Sequence, residues 1–278
     1  MFSDLAQNSN NINDDPWILA VETSGRTGSV ALGRGGRLVQ EMPFSAPLKH
    51  SAELFDITGL ILKSHGLKAG DINQVHISYG PGSFTGIRIA VSMAKIYAFA
   101  NGAKIVAINT LDVIALNAGG VISDDIRRIG VILDAKRGQF FTACYNKDSA
   151  GNIARSKDST DKLITAAEFL AESADQSNPI CLLGEGLVYY SKDFQNAGVK
   201  FFDSEYWPAK ASNVLKLGWV KALRGEFADP YKLTPHYLRG PDAIPRKSAE
   251  TGNYINPVNC HCGVFPPRAL ADKMYRLD

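Results

Sequence analysis

The sequence carries almost no excess of charge: 30 lysines and arginines stand against 28 aspartates and glutamates, a net charge of +2 over 278 residues. So small an imbalance makes no dominant long-range field, and unaided nucleic-acid binding through phosphate neutralisation is not expected. Long apolar runs are missing as well. The two best candidates, residues 87–100 and 105–116, are interrupted by Arg88, Lys95, Asn109 and Asp112, which argues against a membrane-spanning helix. Cysteine is scarce, and Cys144, Cys181, Cys260 and Cys262 have no spacing that suggests a disulfide framework. That usage suits a reducing compartment, so a cytoplasmic location is expected. Residues 1–16 lack both the basic start and the apolar centre of a signal peptide; rich in Asn, Asp and Ser, they are expected to form a disordered leader.

What is present is enough apolar material for a core, at 45% hydrophobic and 21% charged residues. Residues 17–22 (WILAVE) read as a buried strand, followed after Gly25 and Gly28 by a returning strand at 29–32 and, after the turn at 33–36, a third near 38–41. Residues 47–66 read as a helix, with Leu54, Ile57, Ile61 and Leu62 at helical spacing and Gly66 as its stop. A strand at 74–78 runs into the glycine-rich loop 80–86, then a helix over 87–100, then a strand at 104–108. The pattern partly repeats: residues 130–135 (GVILDA), a turn at 136–138 and residues 139–145 (QFFTACY) match 18–32 in order and turn position. A helix near 165–172, a strand at 180–183, a turn at 184–186 and a helix near 211–223 complete the second half. The spacing therefore predicts a leader (1–16), two related lobes (17–118 and 119–239) and a Pro-rich irregular tail (240–278).

The loop Gly80-Pro81-Gly82-Ser83-Phe84-Thr85-Gly86 is the sharpest local signal. A glycine-rich strand-to-helix turn can aim backbone N–H groups at an anion, which makes Gly80, Gly82, Ser83, Thr85 and Gly86 a candidate anion-binding loop. Equally, the glycines can permit tight packing while Ser83 or Thr85 caps the helix. The loop has neither the Gly-Lys-Ser/Thr of a Walker A motif nor G-x-G-x-x-G spacing. The helix that follows is apolar nearly all round. Ala90, Ala94 and Ala98 suit close packing on a sheet, while Ile89, Met93, Ile96 and Ala100 make a second stripe, either for a partner or for burial beneath the 47–66 helix.

Metal and catalytic patterns are weak. His50 has Leu54 where a second ligand one helical turn on would stand, and the adjacent Cys260-His261-Cys262 cannot readily all face one ion. Glu22 and Asp134, at the ends of the matching strands, could hold a hydrated cation between two halves, or could simply serve turns. Five scattered histidines (50, 65, 76, 236 and 261) form no triad pattern, and no catalytic residue is assigned.

Four segments taken together, ILAVETSGRTGSVALG, LKHSAELFDITGLI, ISYGPGSFTGIRIAVSMAKIYA and VAINTLDVIA, resemble the TsaB (YeaZ) family of bacterial proteins. The resemblance spans residues 17–239, with PHYLR at 235–239 similar to the family's usual ending. It implies an α/β architecture of the actin-like/Hsp70-like (ASKHA) type, built of two ribonuclease-H-like lobes. It also implies membership of the complex that makes threonylcarbamoyladenosine at position 37 of tRNA. The related TsaD subunit is the catalytic one; where TsaD-like proteins carry a His-x-x-x-His metal pair this chain has Thr110 and Ile114, and where they carry Cys-Asp it has Gly25-Arg26. The expectation is a non-catalytic scaffold with no metal or nucleotide of its own, those residing on TsaD or at a junction of the complex. TsaD is the expected partner, TsaE the ATPase of the larger complex, tRNA is reached only through the complex, and the lone chain can pair with itself. His50, Leu54, Ile57, Ile61, Ile89, Met93 and Ile96 are the expected contacts with TsaD. The competing expectation is an enzyme active alone, an ASKHA-type phosphotransferase or a metallopeptidase.

Overall fold

Of the six residues Trp17–Glu22 that form strand β1, all but the first are buried, and a strand covered on both faces belongs inside a sheet. The computed structural model, which describes residues 15–46, 50–119 and 126–240, places it there. β1 pairs antiparallel with β2 (Ser29–Arg34), and β2 antiparallel with β3 (Arg37–Pro43). On its other side β1 runs parallel to β4 (Gln74–Gly80), which runs parallel to β5 (Lys104–Asn109). Parallel neighbours need long connections; α1 (His50–Ser64) lies between β3 and β4, and α2 (Phe84–Asn101) between β4 and β5.

After α3 (Thr110–Ala115), the second half repeats the scheme. β6 (Arg128–Asp134) pairs antiparallel with β7 (Gln139–Lys147), and β7 antiparallel with β8 (Ile153–Arg155) and with β9 (Lys162–Thr165). β6 runs parallel to β10 (Ile180–Leu183), and β10 parallel to β11 (Val199–Phe201). α4 (Ala166–Ser173) and α5 (Leu187–Tyr190) lie in the connections, and α6 (Ala211–Leu223) follows. The sheet orders, β3-β2-β1-β4-β5 and β11-β10-β6-β7-β8, are one pattern used twice. Three meander strands followed by two parallel ones is the ribonuclease-H-like arrangement, and its duplication is the actin-like (ASKHA) fold. The internal repeat expected from residues 18–32 and 130–145 is thus present as matching hairpins.

Alternation of side chains sorts the core. Leu19, Val21, Val30 and Leu32 face α1 and α2, whereas Ile18, Ala20 and Ala31 face the space filled by α3 and α6. In the second sheet Ile129, Val131 and Leu133 face that same space, and Ile132 faces Phe169 of α4 and Leu187 of α5. α6 packs on the first sheet, so the chain returns there after completing the second. Its first turn is held by the first sheet's polar groups: the Ala211 N–H donates to Ser29 Oγ (2.9 Å) and the Ser212 N–H to Glu41 Oε1 (3.1 Å). A carboxylate at a helix N-terminus is favoured by the exposed N–H groups there.

Boundaries differ from expectation at two helices. α2 begins at Phe84 rather than 87, because Ser83 serves as N-cap and its side chain accepts from the Gly86 N–H (3.3 Å). Thr85 and Gly86 therefore lie in the first helical turn. For the helix expected over 47–66, the described part is α1, His50–Ser64. Residues 1–14, 47–49, 120–125 and 241–278 lie outside the described residues, and with them nearly all of the leader and the tail, the start of the second expected lobe and Cys260-His261-Cys262. Among the described residues, no helix is long and apolar enough to cross a membrane.

Candidate functional site

The strand ends of the first sheet meet the glycine-rich loop, and close backbone approach governs this junction. Gly82 has φ +157, and a Cβ there would come within 2.5 Å of the Ser24 carbonyl; at Gly86 it would come within 1.8 Å of the Thr23 carbonyl. The Ser83 N–H donates to the Ser24 carbonyl (2.7 Å) and Thr23 Oγ1 donates to the Gly86 carbonyl (2.7 Å). The Ile87 N–H donates to the Ser83 carbonyl. The N–H groups of Ser83, Gly86 and Ile87 are thus used within the chain, which accords with a packing and capping role at these positions of the loop.

Glu22, at the end of β1, is fully buried. Its Oε1 accepts from the Ser24 N–H (2.6 Å) and Ser24 Oγ (2.5 Å), and its Oε2 accepts from Ser78 Oγ. Burial pushes its pKa up, opposed by these hydrogen bonds. A carboxylate so enclosed does not face an open cation site. Asp134 serves its hairpin, accepting from the Lys136 N–H and Nζ, both at 2.7 Å, where Lys136 and Arg137 adopt left-handed φ values of 65 and 60. Both strand-end carboxylates are thus committed to local structure. Thr110 and Ile114, the positions the resemblance singles out for a metal pair, are buried in α3. Among the described residues no group of three or more His, Cys, Asp or Glu side chains is arranged to hold a metal.

Two polar features escaped sequence reasoning. Glu185, in the turn after β10, reaches the first hairpin and accepts from the Arg26 N–H (2.5 Å), the Thr27 N–H (3.1 Å) and Thr27 Oγ1 (2.6 Å). Asp161 gathers Asn109 Nδ2 (2.5 Å), His236 Nε2 (3.0 Å) and Arg155 Nη1, while Arg155 also reaches Asp112 Oδ1 through Nη2 (2.6 Å). Arg155 and its neighbours hold the Asp161 carboxyl below its usual range, against the effect of burial. The segment 235–239 closes over this network. The His236 N–H donates to the Tyr79 carbonyl (2.8 Å), Tyr237 Oη accepts from Arg88 Nε (2.8 Å), and Arg239 donates to the Ala135 carbonyl and to Gln139 Oε1.

The helix pair α1/α2 corrects the expected contact set. Leu54, Ile57, Ile61 and Met93 are buried in the core over the first sheet, and Ile89 is half-buried. His50 opens α1, but its side chain lies outside the described residues. Ile96 is exposed, and the other large apolar residues exposed on these helices are Phe55, Leu60, Phe84 and Phe99. Both stripes of α2 are apolar, so spacing alone could not tell which one meets the sheet; Met93 turns inward with Ala90, Ala94 and Tyr97. Phe55, Leu60, Ile96 and Phe99 are each 54–57% exposed, far more than isolated core packing requires. Gly59 lies between Phe55 and Leu60 in α1, and a Cβ there would meet nothing within 4 Å.

Comparison with known proteins agrees with this architecture. The family model for TsaD, tRNA N6-adenosine threonylcarbamoyltransferase, matches residues 38–178. The chain is 28% identical to the tRNA threonylcarbamoyladenosine biosynthesis protein TsaB of Bacillus subtilis, covering 80% of this chain and 93% of that one. It is 26% identical to TsaB of Escherichia coli, covering 80% and 94%. The structure of YeaZ from Pseudomonas aeruginosa superposes with a TM-score of 0.66 at 24% identity, over 80% of this chain and all of that one. With the TsaD model spanning half of the chain and the TsaB relatives matched over nearly their whole lengths, the chain belongs to the TsaB (YeaZ) family of tRNA threonylcarbamoyladenosine biosynthesis proteins, within the wider TsaD-like group.

Proposed function

We propose that this chain is a non-catalytic subunit that docks a TsaD-type transferase through the outer face of α1 and α2. The observation that carries the proposal is the set Phe55, Leu60, Ile96 and Phe99, large apolar side chains each just over half exposed on two helices whose inner faces are already filled, with the Phe99 ring lying against that of Tyr231. A packed pair of helices offering such a face is suited to a second pair from a related fold, with Gly59 allowing close approach. Three further residues support a scaffold role on the family resemblance: Arg26 stands in the first hairpin turn where catalytic relatives have an acidic residue, and Thr110 and Ile114 stand where they have the metal pair. On this proposal nucleotide and metal belong to the TsaD-type partner or to a junction of the complex, a TsaE-type ATPase joins the larger assembly, and tRNA is reached through it. The setting is the cytoplasm, and in the absence of the partner the same face pairs two copies of this chain.

Replacing Phe99 by aspartate puts a charge on this face and is expected to abolish a complex seen with the native chain, while leaving the fold intact. Light scattering after size exclusion of the chain mixed with the TsaD-type protein of the same organism measures it. An unchanged complex mass with Phe99→Asp and Ile96→Asp together would remove the face from consideration.

A further inference from the structure

Strand β7 has two partners along one edge and a gap between them. β9 pairs with it as far as Thr142 and β8 from Tyr145, so Ala143 and Cys144 face neither strand. The loop joining β8 to β9 spans the gap: the Ser156 N–H donates to the Cys144 carbonyl (3.0 Å), and Ser159 Oγ accepts from the Cys144 N–H (2.7 Å). This loop, β7 and α4 border a cavity of about 400 Å³, a volume within the small-molecule range of about 300–1,000 Å³. Alternation along β7 puts Phe140, Thr142 and Cys144 on the α4 side of the sheet. Phe140 and Cys144 pack there with Phe169, and Thr142 lines the cavity.

Thr142 is only 3% exposed, and its buried hydroxyl has no hydrogen-bond partner among the described residues. Buried hydroxyls are as a rule bonded, so this one points to a ligand atom. Ile164 and Phe169 give the cavity an apolar wall. Arg128, Lys157 and Lys162 outnumber Asp158 and Glu172 around it, and Glu172 is already taken by Lys162 (2.6 Å). Arg128 is steadied by Nη1 donating to the Asn178 carbonyl (2.9 Å). Burial pushes the Cys144 thiol above its ordinary value, outweighing a hydrogen bond with Ser173, so the site is suited to binding rather than to covalent chemistry. We infer that this cavity binds a small organic anion, its apolar body along Ile164 and Phe169, its acidic group at Arg128 and Lys157, and a hydrogen-bonding end at Thr142. The inference does not rest on the docking proposal, since its residues lie on the second sheet, its loop and α4.

The probe is para-hydroxybenzoate, followed by amide chemical shifts of the full-length chain, with benzoate, para-cresol and phenyl phosphate for comparison. It should give saturable shifts at Thr142, Cys144 and Ser159, and benzoate, without the hydroxyl, and para-cresol, without the acid, should each bind roughly tenfold more weakly. Thr142→Val should bring para-hydroxybenzoate down to the affinity of benzoate and leave benzoate unchanged. Its melting temperature should match or exceed the native one, because a methyl replaces a hydroxyl that bonds nothing in the chain. Phenyl phosphate binding at least as tightly as benzoate would make phosphate the acidic group; weaker binding would make it a carboxylate. Absence of saturable shifts with both para-hydroxybenzoate and phenyl phosphate overturns the inference, as does equal affinity for para-hydroxybenzoate and either analogue. A lower melting temperature for Thr142→Val overturns it too, by showing that the hydroxyl is bonded within the chain. Should Thr142→Val fail to fold, Arg128→Gln decides: it should weaken para-hydroxybenzoate and leave para-cresol unchanged, and equal loss or no loss for both overturns the inference.

Discussion

Lowering the pH from 6.5 towards 4 is expected to cost the native chain about 1.4 kcal/mol of stability per pH unit through a single residue, His76. This histidine is fully buried on β4, its Nε2 2.9 Å from Gln74 Oε1. α6 lies directly on it, so closely that a Cβ on Gly218 would come within 2.2 Å of Nδ1. Burial lowers its pKa from 6.5 to about 3, against a smaller opposing effect of the Leu215 backbone. A base whose pKa is lowered on folding contributes stability that is complete above its unfolded pKa and is lost as pH falls towards the folded one. The window is thus pH 6.5 down to about 3, a large effect beside a typical total stability of about 5–15 kcal/mol. Glu22 has the opposite sign: its raised pKa contributes stability below its ordinary value of 4.5 that is lost as pH rises through the folded value. The two effects overlap, so the observable is a difference. Urea unfolding of native and His76→Gln chains should give a stability difference that is level above pH 7 and moves against the native chain below 6.5. A difference that stays level from pH 7 to 4 would show that His76 protonates freely in the folded state.

The second large effect concerns Met93. Aspartate at this position, 1% exposed among Val91, Tyr97 and the first sheet, would place an unpaired carboxylate in the core in addition to removing a packed side chain. A loss of about 4 kcal/mol or more is expected, enough to abolish or strongly lower a cooperative melt. Phe99→Asp, six residues further along α2 on its outer face, should stay within about 1 kcal/mol of the native chain. Thermal melts of both variants test the inward and outward assignments together. A Met93→Asp chain that melts like the native one would return Met93 to the surface and reopen the original contact set.

This contrast marks where the sequence could be followed and where it could not. The two hairpins were legible because short apolar runs, WILAVE and GVILDA, are punctuated by glycine turns at matching positions. The helix–sheet order of the first half was legible for a similar reason: Leu54, Ile57 and Ile61 repeat at helical spacing, and Asn101-Gly102 ends α2 with Gly102 in the left-handed region at φ 70. The start of α2 was not, because Phe84, Thr85 and Gly86 look like loop until the Ser83 cap is seen. Facing was not legible either. A helix packed on a sheet and beside another helix carries apolar residues on more than one side, so Met93 and Ile96 look alike in the sequence although one is buried and the other exposed. Glu185 was hidden by distance along the chain: its partners are 158 and 159 residues away, and nothing in Gly184-Glu185-Gly186 beyond a turn points to them. α6 likewise shows its amphipathic pattern without showing that it packs on the first sheet.

The most direct test of the scaffold proposal is the yield of threonylcarbamoyladenosine on tRNA in a reconstituted reaction containing the TsaD-type partner, its ATPase, and either the native chain, Phe99→Asp or no chain. The proposal predicts full product with the native chain and the same low product with Phe99→Asp as with none, the variant being folded. Product undiminished by Phe99→Asp, or formed by this chain without the TsaD-type partner, would contradict it.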